Sequence, residues 1–336
     1  MIRSLIAALI LCLPIAATAE TTDPVEAVIA ELILPGFDRL EARSADLDAA
    51  AQANCNPEAP ALRTAYNAAF DAWVRVSHLR FGPTEADNRA FSLAYWPDRK
   101  GFTPKVLSQL LAAQDPAIHD PDSFAHLSIA GRGFYGMEFL LYDTRFRAPA
   151  DYACALIRAS AHDIALTTTA IARDWHDDYA VAMRNPGSAD SPYRTREEVV
   201  QELYKAFTTG LKFTLETRLG RPLGSFDRPR PKRAEAWRSG RSLRHIKLSL
   251  GTLREHAVLL STGHPEMADQ LQAGFDAADE ALNRIKDPVF ADLTDPSAWL
   301  HADVLRQSID LIRDQQSANL GAALGVASGF NALDGD

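Results

Sequence analysis

Apolar side chains recur every three or four positions along most of this chain, which is the spacing of one buried helix face. In the stretch from Leu62 to Phe81 these positions are Leu62, Tyr66, Ala69, Phe70, Trp73 and Val76. The same spacing predicts further helices over residues 24–53, 150–180, 195–219, 233–262, 265–286 and 296–322. Pro35 is expected to kink the first helix, since proline lacks a backbone N–H. Alternating runs rich in Val, Ile and Thr are missing, so we expect an all-α fold.

Two regions rich in proline interrupt this pattern. Residues 82–130 contain five prolines and should hold only short helices. Residues 220–232 contain three prolines and two glycines, and the segment Asn185-Pro186-Gly187-Ser188 should end the helix before them. We therefore expect two helical bundles with a cleft between them, an N-terminal one over residues 20–190 and a C-terminal one over 191–336.

Residues 1–19 have the pattern of a secretory signal. Arg3 gives a positive start, the apolar run 5–13 is too short to span a bilayer, and Ala17 and Ala19 are the small residues that signal peptidase accepts. The pattern predicts a cleavable signal peptide and a periplasmic protein that does not span the membrane. An anchor helix is the alternative, but no later stretch is long and apolar enough to assist it.

The net charge of the chain limits its possible partners, and its cysteines predict a disulfide bond. The formal net charge is −9, which disfavours nucleic acid and anionic lipid as partners. Cys12 lies in the predicted signal, which leaves Cys55 and Cys154. An even number of cysteines in an oxidising compartment predicts one disulfide bond between them. Two buried free thiols are the alternative.

Several familiar motifs are incomplete or absent. Residues 131–136 match G-x-G-x-x-G, but a dinucleotide site needs a preceding strand and βαβ units, which the chain does not offer. H-E-x-x-H, C-x-x-C, Walker A and G-x-S-x-G sequences are missing. Two acid–imidazole pairs, His162-Asp163 and His176-Asp177-Asp178, are expected to lie on solvated helix surfaces.

The same glycine-containing stretch also predicts a helix that begins near Gly133. Such a helix places Tyr135 and Glu138 on one face, with Tyr142 a turn further along. The opposite, core-facing stripe consists of Phe134, Met137 and Leu141. Glu138 should be partly buried, and a buried carboxylate needs a partner or a metal ion. The structural alternative is a carboxylate paired with one of the arginines Arg80, Arg99 and Arg132.

Five short segments stand in a characteristic order along the chain. They are Arg80-Phe81-Gly82-Pro83, Tyr95-Trp96-Pro97-Asp98, the stretch 133–141, Pro222-Leu223-Gly224 with 236–243, and Leu324-Gly325-Val326 with 329–336. Together they resemble segments of the imelysin family, exported all-helical proteins that are classed with metallopeptidases and are often tied to bacterial iron uptake. Cys55 and Cys154 also fall where paired cysteines of that family are expected.

One departure from the family pattern concerns the metal. The family carries G-x-H-x-x-E, and Tyr135 stands where its histidine would be. A neutral imidazole binds divalent ions readily, whereas a phenol must first lose its proton, which Fe(III) favours. The resemblance thus implies Tyr135 and Glu138 as metal ligands, with iron preferred over zinc. It also places near the cleft the residues Arg80, Trp96, Asp98, Ser239 and Ser242.

The resemblance implies a periplasmic binding component in iron or haem acquisition, with a small ligand or an envelope protein as partner. A metallopeptidase that uses Glu138 is the second hypothesis, although peptidase sites need about three protein ligands and an activated water. A periplasmic scaffold that binds no small ligand is the third. Residues 218–247 hold ten Lys and Arg against two acidic residues. This basic stretch predicts either a site for an anionic ligand or partner, or a solvated connector and helix face.

Overall fold

The computed structural model describes residues 23–326, and this part of the chain consists of helices without a β-strand. Its long helices are α1 at residues 24–53 (Pro24–Ala27, Val28–Ile33 and Leu34–Ala53), α2 at Pro60–Val76, α3 at Phe102–Ala113, α4 at Gly133–Tyr142, α5 at 150–184 (Ala150–Asp174, Trp175–Tyr179 and Ala180–Arg184), α6 at 196–223 (Arg196–Lys212, Phe213–Leu219 and Gly220–Leu223), α7 at Ser242–Leu260, α8 at Pro265–Arg284 and α9 at 296–323 (Pro296–Leu311, Ile312–Gln316 and Ser317–Ala323). The all-α prediction is confirmed.

Residues 82–130 include the twelve-residue helix α3, so the prediction of only short helices there is wrong at this element. Short helical turns occupy much of the rest of the proline-rich regions, and a further one follows α4. They are Gly82–Thr84, Ala86–Asn88, Arg89–Leu93, Pro116–His119, Pro121–Ala125, Ile129–Gly131, Thr144–Phe146 and Pro231–Arg233. The predicted signal peptide and the last resemblance segment, 329–336, lie outside the described residues. Within 23–326, no helix combines the length and the apolar content that a membrane span requires.

Four of the long helices contain a π-helical segment, in which the hydrogen-bonding register widens by one residue. The segment Val28–Ile33 in α1 ends two residues before Pro35. Pro35 cannot donate the backbone hydrogen bond that an unbroken α-helix would need there. The irregularity that the sequence predicts at Pro35 is therefore a change of register.

Two predicted helix boundaries are wrong. The helix predicted over 62–81 ends at Val76, because Phe81 is extended and Gly82 adopts a positive φ of 56°. The helix predicted over 233–262 begins only at Ser242, and Ala236 and Gly240 have φ values of 45° and 74° before it. The apolar residues in 234–241 are spaced as in a helix because several of them are buried, but the segment that carries them is irregular.

Helix packing forms two neighbourhoods that share a core. Helix α1 packs along α2 and α5, with α4 against α5 and α3 against α4, while α6, α7, α8 and α9 pack on one another. Helix α7 also packs on α2 and on the start of α1. Buried apolar side chains form one connected cluster through both neighbourhoods. The cleft and the division near residue 190 stay predictions.

The two cysteines of the described chain form a disulfide bond. Cys55 follows α1 directly, and Cys154 lies in the first turns of α5, with a Cα–Cα distance of 5.2 Å. The bond fastens the end of α1 to the start of α5. The predicted pairing is confirmed.

Replacing both cysteines by serine is expected to lower the free energy of unfolding by about 4–5 kcal/mol, because the bond closes a loop of about a hundred residues. Urea denaturation of the native and the double-serine protein measures this difference. Reduced wild-type protein is the control and should lose as much. Labelling of both thiols in unreduced, folded protein would contradict the pairing.

A buried pair of histidines joins α2 to α7. His78 follows α2, and its Nε2 lies 3.1 Å from Nδ1 of His256 on α7. Burial, with the nearby Arg218 charge, lowers the pKa of His78 to about 3, and burial lowers that of His256 well below its usual range. Both rings are therefore neutral in the folded protein at neutral pH.

Stability is expected to fall as the pH drops below about 6.5. The unfolded chain takes up protons on these imidazoles there, while the folded chain does not, so unfolding becomes more favourable. Between pH 7.5 and pH 5 each histidine should cost about 2 kcal/mol. Urea midpoints across this range measure the loss. His78→Gln should flatten the dependence, and the same change at exposed His119, which removes no buried imidazole, is the control.

Candidate functional site

The glycines that introduce α4 are required by close backbone packing. Gly133 has a φ of +65°, and a Cβ on it would lie 2.2 Å from the carbonyl oxygen of Ser92. A Cβ on Gly136 would lie 2.8 Å from the carbonyl oxygen of Gly131. With no strand in the described chain, the G-x-G-x-x-G spacing serves helix packing and builds no dinucleotide fold.

Glu138 on α4 is almost completely buried, with 2 % of its surface exposed. Its Oε1 accepts hydrogen bonds from the backbone N–H and the hydroxyl of Ser239, at 2.9 and 2.8 Å. Burial raises the pKa of Glu138 despite these bonds and the nearby charge of Arg238. The carboxylate is therefore held by a segment 101 residues away.

The arginine partners that the sequence suggested for Glu138 are wrong. Arg132 forms a buried pair with Asp163, with Nη2 2.6 Å from Oδ1. Arg80 pairs with Glu85 near the surface. Asp163 thus belongs to the interior and not to the solvated surface that was expected, because it balances a buried guanidinium.

The other acid–imidazole pair follows the expectation. His176 lies on the surface with Nε2 2.6 Å from Asp38 Oδ1, and His162 lies partly exposed beside Asp48 at 2.8 Å. Neither imidazole reaches the site around Glu138. Both are ordinary partners of carboxylates on α1.

Tyr135 is buried one turn before Glu138 and donates its phenolic O–H to Glu235. Its ring stacks on Trp96 at 6.0 Å between ring centres and meets the edge of Phe70 at 5.2 Å. Burial and the negative charge of Glu235 raise the pKa of Tyr135 well above its usual range. The phenol is a neutral hydrogen-bond donor in this arrangement.

Glu235 is the charged centre of the site, and the sequence argument did not single it out. Arg218 donates from Nε to its Oε2 at 2.8 Å, and Nδ1 of His245 lies 3.4 Å from the same oxygen. Burial would raise the pKa of Glu235, but the charge of Arg218, together with the nearby His245 and the Tyr135 hydrogen bond, outweighs burial and lowers the pKa to about 2. Burial lowers the pKa of His245, so its ring is a neutral partner at neutral pH. Arg218 also donates to the hydroxyls of Ser249 and Ser77.

A cavity of about 500 Å³ adjoins this network. It is lined by Tyr95, Trp96, Asp98, Arg99, Gly101, Thr103, Pro104, Tyr135, Glu138, Phe139, Arg221, Lys232, Arg233, Ala234, Ala236, Trp237 and Arg238. Four residues predicted for the site from the family resemblance, Trp96, Asp98, Tyr135 and Glu138, therefore meet at one cavity. Segment 232–238 forms much of the rest of its lining.

The remaining predicted residues have other positions. Ser239 touches the site through Glu138, and the hydroxyl of Ser242 donates to the backbone oxygen of Glu235 at 2.5 Å. Arg80 lines a second, smaller cavity of about 140 Å³, which shares Trp96 and Tyr135 with the first. Ser239 and Ser242 thus fix the segment that carries Glu235.

Asp98 holds the start of α3. Its carboxylate accepts from the backbone N–H groups of Lys100, Phe102 and Thr103, at 3.2, 3.0 and 2.8 Å. Three such bonds satisfy most of the acceptor capacity of one carboxylate. Asp98 therefore fixes a wall of the cavity through its backbone contacts.

The oxygen donors at the cavity do not fit a resident divalent metal ion. Tyr135 keeps its proton and donates to Glu235, while Glu138 is bonded to Ser239 and its pKa is raised. Among residues 23–326, no three His, Cys, Asp or Glu side chains are grouped to hold a metal. The assignment of Tyr135 and Glu138 as ligands of ferric iron stays a prediction.

Most of the chain matches one known protein family. The family model of Imelysin, peptidase M75, matches residues 33–316. The chain belongs to the imelysin family. The resemblance predicted from the short segments is therefore confirmed, with Tyr135 as this imelysin-family member's departure from the G-x-H-x-x-E pattern.

Relatives of this imelysin-family chain include a protein with an iron-related name. Iron-regulated protein A of Synechococcus elongatus is 23% identical over 321 residues, which cover 88% of this chain and 84% of that protein. An imelysin-like protein of Psychrobacter arcticum has a similar crystal structure, with a TM-score of 0.74 at 19% identity over 92% of this chain and 97% of that one. A Parabacteroides distasonis structure named after iron-regulated protein A has a TM-score of 0.72 at 14% identity over 90% and 94%. The structural likenesses show a shared fold.

Glu235→Gln is expected to lower the free energy of unfolding by about 3–5 kcal/mol, because it leaves the buried guanidinium of Arg218 without a counter-charge. Glu85→Gln removes the same charge from the partly exposed pair with Arg80 and should cost no more than about 1 kcal/mol. Urea denaturation at pH 7 compares the two. Equal losses of unfolding free energy in the two variants would show that the buried Glu235 pair stabilises the fold no more than the surface pair does.

Proposed function

We propose that this chain is an exported imelysin-family binding protein that serves iron or haem acquisition in the periplasm. The observation that carries the proposal is the cavity at Trp96, Tyr135 and Glu138. Its volume of about 500 Å³ falls in the range of pockets that hold small molecules. The predicted signal at residues 1–19 supports export.

The iron-related part of the proposal is supported by relatives. Iron-regulated protein A resembles this chain over most of both sequences, and a solved structure named after it shares the fold. The rings of Trp96 and Tyr135 also give the cavity an aromatic wall beside charged side chains. Such a lining suits a ligand with both flat apolar and charged parts, as haem has.

The rival functions make different demands on the same residues. A metallopeptidase needs about three protein ligands and an open coordination position for water, and the described residues contain no such group. A scaffold would have no use for the cavity itself. Binding of a small ligand explains the lining of the cavity more directly than a peptidase or a scaffold function does.

Titration of the purified protein is expected to show that haem or Fe(III), supplied as a soluble chelate, binds at least roughly tenfold more tightly than Zn(II). Quenching of tryptophan fluorescence reports binding, since Trp96 and Trp237 line the cavity. Trp96→Phe should remove part of the signal without abolishing binding. Preferred binding of Zn(II), together with casein cleavage that Glu138→Gln abolishes, would favour the metallopeptidase instead.

Tyr135 variants test whether the phenol coordinates iron. A bound phenolate gives a visible charge-transfer band, and Tyr135→Phe is expected to abolish that band while leaving the helical circular dichroism unchanged, since only a hydroxyl is lost. Tyr135→His should shift the preference toward divalent ions, because imidazole needs no deprotonation at neutral pH. Iron binding without the band in wild type, unchanged in Tyr135→Phe, would remove Tyr135 from the ligand set.

A further inference from the structure

The cavity beside Glu138 concentrates positive charge in an acidic protein. Five cationic side chains line it, namely Arg99, Arg221, Lys232, Arg233 and Arg238. Two carboxylates, Asp98 and Glu138, line it as well. Over the whole sequence acidic residues outnumber Lys and Arg by 44 to 35, so this local excess runs against the composition.

Neither carboxylate lies within ion-pairing distance of a cation among the described residues. Asp98 directs its oxygens to three backbone N–H groups at the start of α3. Glu138 accepts two bonds from Ser239, and burial favours its uncharged form. Even if both carboxylates are ionised, they offset at most two of the five cations, so the cavity keeps an excess of positive charge.

Most arginines among the described residues have acidic partners, as Arg132, Arg218 and Arg244 show. Four of the five cavity cations differ. In the described range 23–326, no carboxylate lies within ion-pairing distance of Arg99, Arg221, Lys232 or Arg233. The fifth, Arg238, reaches only 3.6 Å from Asp143, which already pairs with Arg145 at 2.6 Å.

These like charges also lie close enough to affect one another. Burial and the charges of Arg99 and Arg233 lower the pKa of Arg221, whose buried Nε has no hydrogen-bond partner among the described residues. Gathering unpaired cations in this way is unfavourable for the protein alone. An anion that entered the cavity would relieve the repulsion and satisfy the free N–H groups.

Aromatic rings hold two of the guanidinium groups without removing their charge. Arg221 lies 5.6 Å from the centre of the Trp96 ring. Arg238 lies 3.7 Å from that of Phe139 and 4.5 Å from that of Trp237. Stacking of this kind restrains an arginine, so less conformational entropy is lost when it binds an anion.

We propose that this cavity binds a small polyanion with at least two carboxylate or phosphate groups, contacted by Arg221, Arg233 and their cationic neighbours. The net charge of −9 disfavours long polyanions, while a cavity of about 500 Å³ admits a small one. This inference rests on the proposed function in one respect: the polyanion is the group that carries iron into the site.

Isothermal titration with iron-free citrate and with iron-free pyrophosphate tests the inference, and comparison of the two separates carboxylate from phosphate recognition. Wild-type protein should bind at least one of them, and the affinity should fall as salt rises. Arg221→Gln and Arg233→Gln should each weaken binding roughly tenfold or more, since each removes a charge-assisted contact. Arg233 is exposed and has no ion pair among the described residues, so its variant should keep the fold.

Arg228→Gln is the matched control. Arg228 belongs to the same basic stretch and is exposed, but it does not line the cavity. Its variant should bind within about twofold of wild type, because a charge outside the site acts only through solvent. Binding of neither anion, or equal losses in Arg228→Gln and Arg233→Gln, would overturn the inference.

Titration with ferric citrate and with haem separates this inference from the proposed function. Tight iron or haem binding that Arg221→Gln and Arg233→Gln leave unchanged would overturn the polyanion site and keep the iron function. Binding of iron-free citrate or pyrophosphate with no added affinity for ferric citrate and none for haem would keep the polyanion site and overturn the iron function.

Discussion

The buried charge of Glu235 is the constraint around which the site is arranged. A carboxylate with 1 % of its surface exposed must be compensated, and Arg218, Tyr135 and His245 surround it. These partners come from three helices, α6, α4 and α7, so one charge ties them together. Arg218 extends the connection to Ser77 at the end of α2. Without the charge of Glu235, its partners would lose the interaction that holds them in these positions.

This network also separates two kinds of positive charge in the basic stretch 218–247. Arg218, Arg241 and Arg244 are paired with Glu235 or with Asp71 and hold helices together. Arg221, Lys232 and Arg233 line the cavity without such partners in the described chain. Neither interpretation included the ion pairs that Arg218, Arg241 and Arg244 form, and a site for an anionic ligand in this stretch stays a prediction.

The sequence predicted the long helices well because their evidence is local. Spacing of three and four along 24–53, 265–286 and 296–322 agrees with α1, α8 and α9 to within two residues. Residues 233–241 misled the same reasoning, since Ala234, Ala236 and their neighbours are buried in an irregular segment. The spacing of apolar residues indicates which residues are buried. A non-helical segment that is fixed by a buried ion pair can show the same spacing.

The partners within the site could not be predicted in this way. Glu138 was recognised from its apolar surroundings, but Ser239 lies 101 residues away and no periodicity links them. The family resemblance brought both segments to attention without stating that they touch. Glu235 is one of two acidic residues among the ten cations of residues 218–247. Only the fold shows that one of these cations, Arg218, pairs with it.

Tyr135 differs in its chemistry from the histidine that the G-x-H-x-x-E pattern would place there. An imidazole beside Glu235 would be drawn toward its protonated form by the carboxylate, whereas a phenol donates one hydrogen bond and stays neutral. The substitution thus leaves Glu235 balanced by Arg218 alone among fully charged partners. A neutral donor at this position therefore adds no charge of its own to the neighbouring cavity, which Tyr135 also lines.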